Sequence, residues 1–444
     1  MSKRSWAIWC RTRISAATFS DRTAFTTVDH RARIIAGPFS CGRAAMSSPA
    51  PKLLAASALL ASMVACTPRD AAVPDASATA ARPDTAPAPA AQSSDVRAVP
   101  AGTTAEPVYR TFRDVVVACD NVRRCAAIGV GDGASGLVLS LRRDAGADGE
   151  QALVLQAPGG TVDTSGMTLD GAAAPAIVAL PWQRDGRESA ILRIEDPTAI
   201  ARFIDLVRDG THLGDGAERS VSLSGLNAAL LYIDEHQQRL DTPGAWARRG
   251  ERDDAAVPPA PALPVLAKSA ASPPALPEDE TGRLIRSVRE AQAAALHAEE
   301  CDAPGGAFDV SRQDAALPLD ATQALVFVTC YSGAYQSAAL VFRAARDGTE
   351  ATRLILPAPR LSGDSEPRED FSLLVGAGYD PRTGTLSQHA RGRGIGDCGY
   401  HARWQFDGRG FALSHYAEMT RCGGLAPDDW PVLWRVADPA AGMP

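Results

Sequence analysis

The sequence predicts an α+β protein, mostly antiparallel β, built as two strand-rich domains with a few helices and joined by a Pro/Ala-rich linker. Three observations carry that expectation. Short β-prone runs recur between turn-forming residues, helical i, i+3, i+4 spacing surfaces in only a few places, and two Ala/Pro tracts poor in large apolar residues divide the chain.

Residues 1–45 are Arg-rich, unpatterned and far longer than the n-region of a secretory signal. From Met46 the chain runs MSSPAPKLLAASALLASMVAC, with Lys52 as a basic n-region and an apolar stretch from Leu53 to Ala65. That stretch has signal-peptide length and is too short to span a bilayer. Translation is therefore expected to start at Met46, which makes 1–45 a mis-annotated extension. An organelle transit peptide is the alternative for that stretch. The residues before Cys66 resemble the bacterial lipobox, although Met63 stands where Leu is usual. Cys66 is expected to be the lipidated N-terminus after removal of a lipoprotein signal peptide, 46–65. Thr67 after it resembles an outer-membrane address. Residues 66–107 are Ala/Pro/Asp/Thr-rich and cannot bury enough surface to offset chain entropy, so they read as a disordered tether.

The first β-rich domain, 108–247, opens with VVVACDNVRRCAAIGV, two β-prone runs around a turn. Strand-like runs come next at Gly136 to Leu141, Ala152 to Leu155, Ala176 to Leu180 and Ala190 to Ile194. Ile200, Phe203, Ile204 and Val207 then take helical spacing behind Asp196-Pro197, as do Leu226, Ala229, Leu230 and Ile233 behind Ser224. The linker, 248–280, is stiffened by proline. The second β-rich domain, 281–438, begins with an expected helix from Thr281 to Glu299. It continues with strands at Ala324 to Tyr331, Ala338 to Arg343, Leu354 to Leu356 and Ser372 to Ala377, and a hairpin turning on Asp407-Gly408.

Charge limits the partners. Nine of the 45 Lys+Arg and two of the 52 Asp+Glu precede Cys66, which leaves 36 and 50, or about −14 formally, from Cys66 onward. Nucleic acid and anionic lipid headgroups are both poor partners unless a local patch overrides the total, whereas cationic ligands or basic proteins are favoured. The expected partners are the membrane, through the lipid anchor, and an envelope protein or cell-wall ligand.

Six cysteines lie beyond the anchor: Cys119, Cys125, Cys301, Cys330, Cys398 and Cys422. In an oxidising compartment an even number favours three disulfides, and the domain division favours the nearest pairs among the 15 connectivities. No CxxC occurs, and no metal or cofactor is expected.

FRDVVVACDNVRRCAAIG, the TCYSGAYQSA around Cys330, and GRGIGDCGYHARWQFDGRGFALSHYAEMTRCGG with WPVLWR after it resemble the bacterial domain-of-unknown-function family 1176 over residues 108 to 437. Members are exported envelope proteins with six cysteines. Val115 departs from the Trp usual after F-x-D. The opening F-x-D…C…C is also similar, more faintly, to invasion-associated locus B proteins. Neither likeness implies an enzyme activity.

No nucleophile elbow, H-E-x-x-H or P-loop occurs in the mature chain. Arg391-Gly-Arg393-Gly-Ile-Gly-Asp397-Cys398 could bind an anion through backbone N–H groups and guanidinium forks, or be a strand edge beside a disulfide. With His401 it supplies the candidate ligand-binding residues Arg391, Arg393, Asp397 and His401. His389, His401 and His415 lack metal-ligand spacing and read as strand histidines, and Trp404, Trp430 and Trp434 read as packing. The expected protein is thus an exported envelope lipoprotein of unknown biochemical function, a noncatalytic binding or envelope-maintenance protein of the outer membrane facing the periplasm. A narrower form is an inhibitor of a basic enzyme such as lysozyme. The alternative is an envelope hydrolase or transferase with a noncanonical site in the second domain.

Overall fold

A computed structural model describes residues 104–131, 136–184, 190–216, 219–268, 272–301, 309–364 and 370–437. The expected extension, signal peptide, lipidated Cys66 and nearly all of the tether lie outside the described residues. The described chain falls in one compact unit, Thr85–Pro444, and is mostly antiparallel β with few helices.

Its first sheet is an antiparallel meander of Val108–Phe112, Val115–Cys119, Cys125–Val130, Val138–Arg143, Gln151–Gln156 and Ile191–Ile194, with short strands at both edges. Val115–Cys119 is buried at every position. Strands covered on both faces read as continuous apolar runs rather than alternating ones, and VVVAC is such a run. One face packs under two helices, Pro197–Val207 and Leu226–His236, whose Ile200, Phe203, Ile204, Leu230 and Ile233 meet Val115, Val117, Leu139 and Leu153. Asp196 caps the first helix, accepting from the Ala199 N–H at 2.7 Å. The second helix starts behind Gly225 at φ 95°, not on a side-chain cap. A Cβ there would meet the Phe112 carbonyl oxygen at 1.9 Å, so the helix is seated against the first hairpin by glycine.

The expected strand Ala176 to Leu180 is instead the short helix Pro175–Val178. Pro175 is pre-set for a first helical turn and cannot donate to a ladder, which overrides the β-prone side chains. The long helix expected over Thr281 to Glu299 is two, Glu278–Ala291 and Ala293–Ala298, divided at Gln292.

Leu284 and Val288 of Glu278–Ala291 cover one face of the hairpin Gln323–Ser332 and Ser337–Ala345. The other face, through Leu325, Phe327 and Val341, joins a core with Trp404, Phe406, Leu413 and Tyr416 of the C-terminal sheet, and with Tyr109, Val116 and Ala118 of the first sheet. The C-terminal sheet orders Gly378–Asp380, Thr385–Arg391, Gly399–Phe406, Phe411–Met419 and Val432–Arg435 as antiparallel neighbours. Its hairpin turn is held by Asp407, whose carboxylate accepts from the N–H groups of Arg409 at 2.8 Å and Gly410 at 2.9 Å.

Three disulfides are present, Cys119–Cys125, Cys301–Cys330 and Cys398–Cys422. The first closes the hairpin Val115–Cys119/Cys125–Val130 at the directly opposed pair. Its turn docks on the last strand. Asp120 accepts from Arg435 Nε at 2.6 Å, while Asn121 donates to the Arg435 carbonyl and accepts from its N–H, both at 3.0 Å. Burial penalises the Asp120 carboxylate enough to raise its pKa despite Arg435.

Candidate functional site

Strand register assembles the most distinctive cluster of polar groups. His389 of Thr385–Arg391 lies directly opposite His401 of Gly399–Phe406, and Arg403 lies opposite His415 of Phe411–Met419. Cross-strand partners and i, i+2 positions share a sheet face, so His389, Arg391, His401, Arg403 and His415 form one row. Ring centroids are 6.0 Å apart for His389–His401 and 4.9 Å for His401–His415. Trp430 packs on the first two rings at 5.6 and 5.8 Å. Its indole N–H is satisfied by the Leu425 carbonyl at 3.0 Å.

The same face passes beneath the first sheet farther along, where Ala417, Met419 and Trp430 pack with Ala126, Ile128, Val130 and Val138. The row therefore lies where a buried interface opens to solvent: the three histidines are half-buried, and Arg391 and Arg403 are exposed. Neither guanidinium has an ion pair or hydrogen-bond partner among the described residues. The Nε2 atoms of His389 and His415 are buried without a partner. Burial, reinforced by Arg403 and the neighbouring rings, lowers His401 to about 4 and His415 to about 3. His389 is lowered by burial and Arg391, with Asp428 opposing. His401 and His415 are therefore neutral at pH 7.

The other two candidate residues do different work. Arg393 and Asp397 form a forked ion pair across a turn, Nε to Oδ1 at 2.6 Å with a second bond from the terminal nitrogen. Asp397 also accepts from the Gly424 N–H at 2.7 Å, beside the Cys398–Cys422 disulfide. Both bonds, the Arg393 fork first, hold its carboxyl below the usual range. The Gly392 N–H is spent on the Cys398 carbonyl at 2.7 Å and the Gly396 N–H on Arg393 at 2.9 Å. A Cβ on Gly399, at φ 138°, would strike the Ala390 carbonyl oxygen at 2.0 Å. The glycines thus permit close backbone approach in a hairpin turn, and their N–H groups do not converge on a ligand. The structure brings Arg391 and His401 into the histidine row and commits Arg393 and Asp397 to each other.

Arg403 and Asp428 were absent from the sequence-derived candidates. A signal for Arg403 exists: His-Ala-Arg occurs twice, at 389–391 and 401–403. Antiparallel pairing centres the two histidines and sends the arginines to opposite ends. Glu418, near the histidines in sequence, faces away with Tyr416, which donates to it at 2.9 Å.

Trp404 and Trp434 are packing residues that donate to the carbonyls of Pro357 and Leu413. Among the described residues, two groupings have metal-ligand proximity, Cys119/Cys125/His236 and Asp397/Cys398/Cys422. Each contains a disulfide, whose sulfurs are bonded to one another and are not thiolate ligands. A shallow depression of about 470 Å³ is lined by Asp170, Thr211, His212 and Arg219. Asp170 there is occupied by Thr211 and His212, and Arg219 by Asp215 and the Thr161 carbonyl.

Comparison with known proteins places these features in a family context. The family described as "Protein of unknown function (DUF1176)" matches residues 109–437. "Uncharacterized protein YpfG" of Escherichia coli (strain K12) is 33% identical over 340 residues, covering 74% of this chain and 93% of that protein. No solved structure matches. The matched span runs from the first strand to the last, and so includes the Asp120/Asn121–Arg435 junction and the histidine row.

Proposed function

The chain belongs to the DUF1176 family, and from that premise we propose that the mature protein is an exported cell-envelope lipoprotein. In this reading it is anchored through Cys66 in the outer membrane, faces the periplasm, and works as a noncatalytic binding or envelope-maintenance protein. The observation that carries the reading is the state of the cysteines: all six among the described residues are paired in disulfides. Such pairing is typical of extracytoplasmic proteins and rare where thiols are kept reduced. The signal-like segment before Cys66 supplies the route. The noncatalytic part is supported by Asp397, the carboxylate a hydrolytic reading would use, which is engaged by Arg393 and the Gly424 N–H.

The test is intact and peptide-mapped mass spectrometry of membrane-fractionated protein under nonreducing conditions. An acylated N-terminal Cys66 with three disulfides is expected. Free thiols in a cytoplasmic fraction, or peptides from residues 1–45 in the mature protein, would overturn the reading.

A further inference from the structure

The doubled His-Ala-Arg triplet buries its alanines and sets its histidines and arginines on one face of the C-terminal sheet. Arg391 and Arg403 lie two residues beyond the central His389–His401 pair in opposite directions. At about 3.4 Å per residue they stand about 14 Å apart along the sheet, within converging reach of two long side chains. Neither guanidinium meets a carboxylate among the described residues, and both are exposed on the same face of the sheet. Between them lie His389 and His401, and His415 stands beside Arg403 on the third strand; all three rings are half-buried.

We propose that this row is a binding site for an extended oligoanion, a ligand bearing two or more phosphate groups, laid along the strands from Arg391 to Arg403. Guanidinium forks suit phosphate oxygens, and imidazole N–H groups supply further donors between them. Trp430 backs two of the rings and holds their orientation. The two unpaired guanidiniums oppose a divalent cation at the same histidines, which is why the anion is the favoured ligand. This inference does not depend on export or lipidation.

Binding should be proton-linked. The charged groups around the imidazoles are Arg391 and Arg403 on their own strands and Asp428 on the turn that carries Trp430. Beyond them are Asp429, whose carboxylate accepts from Gln156 and whose backbone carbonyl accepts from Arg142 of the first sheet, and Arg435, which is paired with Asp120. An anion on the row favours the imidazolium forms of rings that are neutral when it is empty, so binding takes up protons, seen as a dependence of the calorimetric enthalpy on the buffer's ionisation heat.

The experiment is calorimetric titration of the folded protein with tripolyphosphate and with orthophosphate at low salt. It is paired with flotation on phosphatidylcholine vesicles made with and without cardiolipin. Tripolyphosphate should bind more tightly than orthophosphate and weaken with salt. Arg391→Gln and Arg403→Gln should each cost about tenfold, the double variant more, and Asp428→Asn should improve affinity. Both arginines are exposed and unpartnered, so the variants keep the fold. Vesicle binding that requires cardiolipin and both arginines identifies a lipid headgroup, whereas binding of tripolyphosphate alone identifies a free oligophosphate. Absence of binding to either, or binding indifferent to the two arginines, overturns the proposal. So does zinc binding through His389, His401 and His415 without tripolyphosphate binding.

Discussion

Replacing Arg143 with Met tests how the first sheet is held to its second helix. Arg143 ends Val138–Arg143 and has no solvent exposure. Its guanidinium donates to Asp234 at 2.7 Å, Gln237 at 2.7 Å and the Gly244 carbonyl at 3.0 Å, and lies 4.1 Å from the Trp246 ring centroid. Asp234, equally buried, also accepts from the N–H groups of Trp246 at 2.9 Å and Ala247 at 2.7 Å. Burial pulls the Arg143 pKa down to about 10, yet it stays charged at pH 7. Methionine fills much of the same volume but leaves the carboxylate without its cation and two oxygens without donors. Removing one partner of a buried pair costs about 3–5 kcal/mol. At 3 kcal/mol the melting midpoint falls by about 4 °C for a compact unit spanning Thr85–Pro444. Urea unfolding monitored by tryptophan fluorescence reads the change directly, because Trp246 stacks on the replaced group. Arg143→Met with Asp234→Leu should recover most of the loss, since a dry apolar pair carries no orphaned charge. A single-variant loss below about 1 kcal/mol would refute the claim that the pair holds this junction.

The same physics sets other expectations. His401 and His415 have folded pKa values of about 4 and about 3, below the unfolded value of about 6.5. The unfolded chain therefore binds more protons between those limits, and stability falls as pH drops through that window. Discounted for partial exposure, the loss is about 2 kcal/mol, and a His401→Gln/His415→Gln variant should lose less in acid-titrated denaturation than the native protein. Replacing Cys301 and Cys330 together by serine opens a loop with a sequence separation of 29 and should cost about 3 kcal/mol by denaturant midpoint; an unchanged midpoint contradicts it. Asp397→Ala frees Arg393 and the Gly424 N–H, so amide exchange at Gly424 should quicken and stability drop by about 1–2 kcal/mol. Unaltered exchange there would show that the turn does not rely on the carboxylate.

Much of the secondary structure was legible because local chemistry dictates it. Asp196-Pro197 before a 3.6-residue period yields a capped helix, Asp407-Gly408 yields a hairpin, and an even set of cysteines pairs by proximity. Misreadings arose where one local rule competed with another, as where Pro175 turned an apolar run into a helix, or where tertiary packing chose Gly225 over Ser224 to start one.

The histidine row belongs to a different order of information. His389, His401 and His415 have no mutual spacing that a motif search rewards, yet they become neighbours through the register of three strands and a bulge near Arg403. Arg393 and Asp397 looked like ligand groups because sequence shows charge without partners; the fold supplied the partners. Asp120 and Arg435 met only when the last strand closed on the first hairpin. Most elements, the turns and the cysteine pairing could be read from the chain, because those depend on residues close in sequence or on a small even set of thiols. Which charges are engaged and which face solvent emerges on folding, because strand pairing joins residues hundreds of positions apart, as at Asp120 and Arg435, and the turn it closes brings Arg393 onto Asp397.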